Sequence, residues 1–271
     1  MKHNKYDYVK KVVDAGLAVL LTGEAGTGKT TIAKQIAADR GTSFYAMSMT
    51  KQTSVNAIIG FISINGTYIP SQFRQAFEYG GLFLLDELDA ADPNVLLVLN
   101  TIENGYIAFP DGVITVHEDF RLIATANPQD EHNIYTGRSK LDFSTMDRFY
   151  EVKLPRDGSL EESLTSERVT GEANFVRTLL KDNGSSIKVT MRDAIRIHKL
   201  YNLGIDEDPL YSVVFHKDST LNALYKKEKG KIEEAVKKAK ERKAKEEAEA
   251  KRTQADAKSI DELWEFVQKG K

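Results

Sequence analysis

The residues with the clearest chemical meaning form one short string. Gly23-Glu24-Ala25-Gly26-Thr27-Gly28-Lys29-Thr30 fits G-x-x-x-x-G-K-S/T and directly follows the apolar run Leu17-Ala18-Val19-Leu20-Leu21-Thr22. Glycines at such spacing let successive backbone N–H groups turn toward phosphate oxygens, and the N-terminus of a following helix adds a favourable dipole. Lys29 is placed to reach β- and γ-phosphates, and the Thr30 hydroxyl to face a divalent cation. Gly23 through Thr31 are the expected phosphate-contacting residues. A plain Gly-rich turn is the alternative, and the strand before and helix after argue against it.

A second string supplies the complementary acids. Leu82-Phe83-Leu84-Leu85 reads as a fully buried strand that ends in Asp86-Glu87. A carboxylate at Asp86 can hold Mg²⁺ through water, and Glu87 suits a base that orients or deprotonates an attacking water. An acid at that second position favours hydrolysis over phosphate transfer to another acceptor. A third strand, Arg121 to Ala126, ends at Asn127-Pro128, where the asparagine amide can hold the attacking water and sense a γ-phosphate.

The elements around these strings follow from periodicity and punctuation. Helices are expected over residues 6 to 15, Lys29 to Asp39, Pro70 to Tyr79 and Pro93 to Asn104, the last with Pro at its start and Gly105 past its end. Further strands are expected over Ser43 to Met47 and Tyr150 to Leu154. One hairpin, Phe61 to Ile69, is expected to turn on Asn65-Gly66 as type I′, and a second on Asp111-Gly112. Apolar strands alternating with helices imply an α/β fold with a parallel sheet covered on both faces. From Leu160 to about Leu203 the pattern is helical only.

Composition narrows the class. The 271 residues are 41% hydrophobic and 29% charged, with no cysteine, so disulfide, thiolate-zinc and cysteine-nucleophile chemistry are excluded. The five histidines have no metal-ligand spacing. No stretch approaches eighteen consecutive apolar residues, so no membrane partner and a soluble, cytoplasmic protein are expected. Residues 226–252 hold 12 Lys/Arg against 7 Asp/Glu, while the rest holds 26 against 33. An acidic body disfavours a broad nucleic-acid face. Asn4-Lys5-Tyr6-Asp7 spells a guanine-reading string, but no strand precedes it, and it is discounted.

Taken in order, these motifs resemble the AAA+ ATPases, and within them the MoxR-like, cobaltochelatase CobS-like and dynein-related clade. Besides the strings above, the resemblance rests on Gly66-Thr67-Tyr68-Ile69-Pro70-Ser71-Gln72-Phe73-Arg74, Phe109-Pro110-Asp111-Gly112, Asp147-Arg148-Phe149 and Thr190-Met191-Arg192, and spans roughly residues 8 to 205. It implies a P-loop NTPase nucleotide-binding domain over 1–155, a small all-helical lid over 156–222, and a charged helical tail over 223–271. It implies ATP and Mg²⁺ as ligands, with Thr30 and Asp86 at the metal and Glu87 as catalytic base. Asn127 would be the first sensor, Arg148 an arginine finger reaching a neighbour's ATP, and Arg192 a second sensor in cis. Their alternatives are a surface ion-pair residue for Arg148 and a helix-start charge for Arg192, with Arg196 as its rival; Arg138 is a further candidate for facing the neighbour.

What the resemblance implies for function is a homo-oligomeric, six-membered ring that couples ATP hydrolysis to remodelling of a protein client, directly or through a von Willebrand A-domain adaptor. The two hairpins would line its pore, with Phe61, Tyr68 and Phe109 either touching substrate or packing in the hairpin core. A binding switch with little turnover and a DNA-acting machine are the competing readings. In the tail, Ser259-Ile260-Asp261-Glu262 is a capping box, and Ile260, Leu263, Trp264 and Val267 share one helical face. That helix either folds back on its own domain or docks on a partner.

Overall fold

The computed structural model describes residues 1–127, 141, 143–185, 187–205, 213–215 and scattered positions from 223 to 241. Pro128, Arg138 and the helix expected at 259–267 lie outside the described residues. The chain divides into two units, Met1–Leu160 and Glu161–Lys271.

The first unit opens with α1 (Tyr6–Asp14), whose Tyr6, Val9 and Val13 fall on one buried face. Then come β1 (Val19–Thr22), α2 (Lys29–Arg40) and β2 (Phe44–Ser48). A short α3 (Val55–Ile59) leads to a hairpin of β3 (Phe61–Ile62) and β4 (Tyr68–Ile69), followed by α4 (Gln72–Tyr79) and β5 (Gly81–Asp86). After α5 (Pro93–Leu96) a second hairpin pairs β6 (Tyr106–Phe109) with β7 (Gly112–Thr115). β8 (Phe120–Ala126), α6 (Phe143–Asp147) and β9 (Tyr150–Lys153) follow, and α7 (Gly158–Leu164) crosses into the second unit.

Five strands form one all-parallel sheet in the order β2-β5-β8-β1-β9. Successive side chains of β5 point to opposite faces, which is why its apolar run is unbroken. Leu82 and Leu84 join Val9, Val13, Ile32 and Ile36 on one side. Phe83 and Leu85 join Phe73, Phe77 and Leu122 on the other. Phe73, Phe77 and Phe83 are wholly buried, and truncating any one to alanine would cost about 3–5 kcal/mol.

Several local expectations need correction. The first hairpin is not type I′, which requires positive φ at both central residues. Its turn runs Ser63 to Gly66, closed by Gly66 N–H to the Ser63 carbonyl at 2.9 Å, and Gly66 alone is left-handed, at φ 75°. The glycine thus serves as the last residue of the turn, not as one of its two central residues. The second hairpin turns on Pro110-Asp111, because Gly112 pairs with Phe109. Only Pro93–Leu96 of the expected long helix is α-helical; Leu97–Asn104 winds as a tighter 3₁₀ helix, ended by left-handed Gly105. β1 begins at Val19, leaving Leu17 half exposed.

The second unit contains α8 (Glu167–Asp182) and α9 (Met191–Asn202). Val169, Ala173, Val176 and Leu180 of α8 pack with Ala194 and Ile197 of α9, each set at helical spacing. Arg177 grips the fully buried Glu161 with two 2.8 Å hydrogen bonds, so that the carboxylate is paired inside the core. In the charged stretch, Glu234 and Lys238 form an i,i+4 ion pair at 2.7 Å.

One buried cation ties both hairpins of the first unit to α4. Arg74 donates to Glu78 at 2.9 Å and to Asp111 at 2.7 Å, and lies over the rings of Phe109 and Tyr68. Burial alone would lower its pKa, but the two carboxylates outweigh that and hold it firmly protonated. Removing it strands both acids and opens the aromatic seat. Arg74→Ala should therefore cost about 2–4 kcal/mol, and Arg74→Lys, which keeps the charge but not the fork, should recover only part. Thermal melts of the three proteins check this; an unshifted Tm in Arg74→Ala would refute it.

Candidate nucleotide site at the carboxyl ends of the sheet

The sheet order brings the three sequence strings together. β8 lies between β5 and β1, with Leu85 level with Ala124 and Thr22 level with Ala126. The strand ends therefore place Asp86-Glu87, Thr125 to Asn127 and the Gly-rich loop side by side. This is the crevice in which open α/β sheets bind ligands.

The loop from Gly23 to Gly28 wraps back on itself. The Thr27 hydroxyl donates to the Glu24 carbonyl at 3.0 Å, and its side chain is buried. A Cβ on Gly23 would stand 2.4 Å from the Leu154 carbonyl, so the close pass of the chain after β9 admits only glycine there. Gly28, at φ 93°, turns the chain into α2. Ala25 and Thr31 are exposed around the loop and the first turn of α2.

Lys29 Nζ donates to the carbonyls of Gly23 and Glu24, at 2.5 and 3.0 Å, and to Asn127 Oδ1 at 3.1 Å. The ammonium thus bridges the loop and the tip of β8. The Thr30 hydroxyl donates to Asp86 Oδ2 at 3.0 Å. Thr125, which the sequence reading passed over, donates to Asp86 Oδ1 and accepts from the Glu87 N–H at 3.0 Å. The signal for it is a lone hydroxyl in the buried run Leu122 to Ala126, whose other residues are apolar. Glu87 itself is, among the described residues, the one non-glycine with positive φ, at 61°. Left-handed backbone costs such a residue roughly 1–2 kcal/mol, and strain of this kind collects at functional sites.

Thr30 and Asp86 offer hydroxyl and carboxylate oxygens, a hard donor set that suits Mg²⁺, which keeps much of its coordination as water and substrate oxygen. Among the described residues no group of three or more His, Asp or Glu forms a self-contained metal cage. The residues present therefore fit Mg²⁺ brought in with phosphate.

The two arginines are placed differently. Arg148, just after α6, donates to Glu103 at 2.9 Å within its own chain. Arg192 is exposed in the first turn of α9, inside the second unit, behind a capping box of Thr190 and Asp193. Of the hairpin aromatics, Phe61 is 47% exposed, Tyr68 donates its hydroxyl to the Ile59 carbonyl, and Phe109 is buried at 5%. Phe109 is thus a core residue beneath Arg74 rather than a surface contact.

Residues 18–149 match the protein family described as AAA domain (dynein-related subfamily). These residues have the P-loop fold of AAA+ proteins, and the match covers just under half of the chain. The Midasin of Dictyostelium discoideum is 29% identical over 164 residues, which cover 53% of this chain and 3% of that protein. The ATP-dependent zinc metalloprotease FtsH 3 of Conexibacter woesei is 38% identical over 73 residues, 27% of this chain and 9% of that protein. The chain therefore spans a small fraction of the length of these relatives. NtrX from Brucella abortus in complex with ADP shares the fold, with TM-score 0.52 and 17% identity over 76% of this chain and 50% of that one. Among the described residues no helix is long and apolar enough to cross a membrane.

A cavity of about 1380 Å³ opens beside the Gly-rich loop, lined by Thr22, Gly23, Asn127, Leu154, Pro155 and Lys5, among others. Its wall is fixed by the N-terminal residues. His3 Nε2 lies 3.1 Å from the Pro155 carbonyl while its Nδ1 accepts from the Lys5 N–H, and the Asn4 N–H donates to Asp157 at 2.7 Å. Burial pushes the Asp157 carboxyl up, but the backbone N–H groups of Leu160 and Asn4 outweigh it and hold it below the ordinary carboxylate range. A depressed folded-state value stabilises the protein above the unfolded-state value near 3.8, and that stability is lost as pH falls through the folded value. Asp157→Asn should thus cost roughly 1–3 kcal/mol at pH 7, with the deficit shrinking below about pH 4. Denaturant titrations from pH 7 to pH 3 check it; a deficit constant with pH would show that charge is not the cause.

Proposed function

We propose that this protein is an ATP-hydrolysing, ring-forming AAA+ ATPase of the MoxR-like and CobS-like clade, coupling hydrolysis to remodelling or assembly of a partner macromolecule. The observation that carries the reading is Glu87, held in strained backbone directly after the Asp86 that pairs with Thr30. A solvated acidic strand end needs neither the strain nor the pairing.

In this reading Lys29 exchanges the carbonyls of Gly23 and Glu24 for β- and γ-phosphate oxygens, and the loop N–H groups from Glu24 to Thr31 close around them. Thr30 and Asp86 would hold Mg²⁺, which supplies charge neutralisation on those oxygens. The Glu87 carboxylate orients a water and takes its proton as the water oxygen bonds the γ-phosphorus. The bond to the bridging oxygen breaks, and ADP leaves with that electron pair. Asn127, released from Lys29, holds the water or the γ-phosphate. Arg148 leaves Glu103 to stabilise charge on a neighbour's transferring phosphate, and Arg192 contacts the γ-phosphate in cis.

The ring, six-membered by resemblance, would present the β3–β4 hairpin to its client, where Phe61, Ile62 and Ile64 are exposed. A protein client or a von Willebrand A-domain adaptor fits these apolar tips and the acidic body better than nucleic acid does. The subunit is proposed to be cytoplasmic.

Lys29→Ala should abolish nucleotide binding, because Lys29 contacts phosphate in the ground state. Glu87→Gln should bind ATP normally and lose turnover by at least about 100-fold, because Glu87 acts only on the water. Fluorescent-nucleotide titration and phosphate release separate the two; unchanged turnover in Glu87→Gln would remove it from the chemistry. Arg148→Ala should keep nucleotide affinity and lose turnover. Mixing it with Lys29→Ala should restore some, since Lys29 of one subunit can meet Arg148 of the next. No recovery in confirmed mixed assemblies would refute the trans role.

A further inference from the structure

We infer that Thr125 is a positioning residue of the hydrolytic site, one hydroxyl setting both the metal-binding rotamer of Asp86 and the strained backbone of Glu87. The inference rests on the ATPase reading above and adds to it a residue to which the sequence motifs gave no role.

Thr125 is 1% exposed and sits one residue from the end of β8, one residue past the Leu85–Ala124 pair that joins β8 to β5. Its hydroxyl makes two distinct bonds. The hydrogen goes to Asp86 Oδ1, and a lone pair accepts from the Glu87 N–H at 3.0 Å. A hydroxyl has one hydrogen to give, so its direction is fixed by the carboxylate. With Oδ1 held by Thr125, Oδ2 is the oxygen turned to the Thr30 hydroxyl, 3.0 Å away. Asp86 is thus fastened from β8 on one side and meets α2 on the other.

The second bond acts on the base. Glu87 leaves the strand in a left-handed conformation, φ 61° and ψ 47°. The corner is held at three points: the Met49 N–H to the Asp86 carbonyl, the Ala90 N–H to the Glu87 carbonyl, each 2.8 Å, and the Glu87 N–H to Thr125. Of these, the last is the one made by a side chain, and it is shared with the carboxylate beside it. The metal-binding acid and the water-activating acid are therefore set by a common atom, and a shift in one is felt by the other.

The competing role is packing, since a threonine in a buried strand is close in shape to valine. Two substitutions separate the roles because they predict opposite orders. Thr125→Val keeps the shape and deletes the hydroxyl; Thr125→Ser keeps the hydroxyl and deletes the methyl. Positioning predicts that Thr125→Val loses kcat by tenfold or more, with nucleotide affinity in the absence of Mg²⁺ unchanged. It also predicts that the Mg²⁺ concentration giving half-maximal tightening of ATP binding rises severalfold. Thr125→Ser should stay within about threefold of wild type on both measures. Thr125→Cys, whose S–H is a weaker donor, should fall between and serves in place of the valine variant if that fails to fold.

The experiment measures phosphate release, Mg²⁺-dependent ATP binding and thermal melts on the full chain. Valine retaining turnover and metal response while serine loses them in step with Tm would overturn the positioning role and leave the ATPase reading standing. Absence of turnover in the wild type would instead overturn the ATPase reading. The Mg²⁺-binding arm, which needs no hydrolysis, would then decide Thr125 by itself.

Discussion

The chemistry of this fold depends on three neighbouring parallel strands ending level with one another. β8 must lie between β1 and β5, because only then do the Gly-rich loop, Asn127 and Asp86-Glu87 share one edge. Parallel neighbours cannot be joined by tight turns, so each connection crosses a face of the sheet and buries it. The two apolar layers around β5 follow from that need. The helices α1, α2 and α4 cover the faces, and the polar groups are left at the ends of the strands.

A second constraint ties the hairpins to the sheet. α4 packs Phe73 and Phe77 against Phe83 and Phe120 through edge-on ring contacts. On the same helix Arg74 reaches Asp111 of one hairpin and the Tyr68 ring of the other. A buried guanidinium with two carboxylates and two rings is a specific seat, since any other register would leave its charge uncompensated. The hairpins are thus fastened to a helix that rests on the strand carrying Asp86.

Much of this was legible from residue types. The unbroken apolar runs of β1 and β5 announce strands buried on both faces, and the Gly-rich string between strand and helix admits few other structures. What could not be read were details set by competition between local and tertiary terms. Asn65-Gly66 has the composition of a type I′ turn, yet the Ser63–Thr67 pairing moves the turn one residue earlier and leaves Gly66 as its exit. The second turn likewise sits one residue earlier than expected, on Pro110-Asp111, because Gly112 pairs with Phe109. Phe109 could not be assigned to surface or core because its charged neighbour, Arg74, is distant in sequence; the two meet only when α4 and β6 pack. Thr125 was invisible for a related reason. A single hydroxyl in an apolar run carries no periodic signal, and its meaning depends on which strand lies next to it.

The resting site is prepared unequally for its parts. Asp86 already has both carboxylate oxygens engaged by hydroxyl donors, and Glu87 is already in its strained conformation, so on the proposed reading the hydrolytic half needs little rearrangement. The phosphate half is different, because Lys29 is bonded to Gly23, Glu24 and Asn127. Two of those acceptors are neutral carbonyls and the third a neutral amide oxygen, whereas phosphate oxygens are charged. Opposite-charge attraction adds to the hydrogen bond only with phosphate, so each of these three exchanges favours phosphate. On the proposed reading, the same exchange releases the Asn127 amide only when phosphate has arrived. The asparagine's freedom to hold a water is then tied to occupancy of the loop, through a lysine that cannot serve both partners at once.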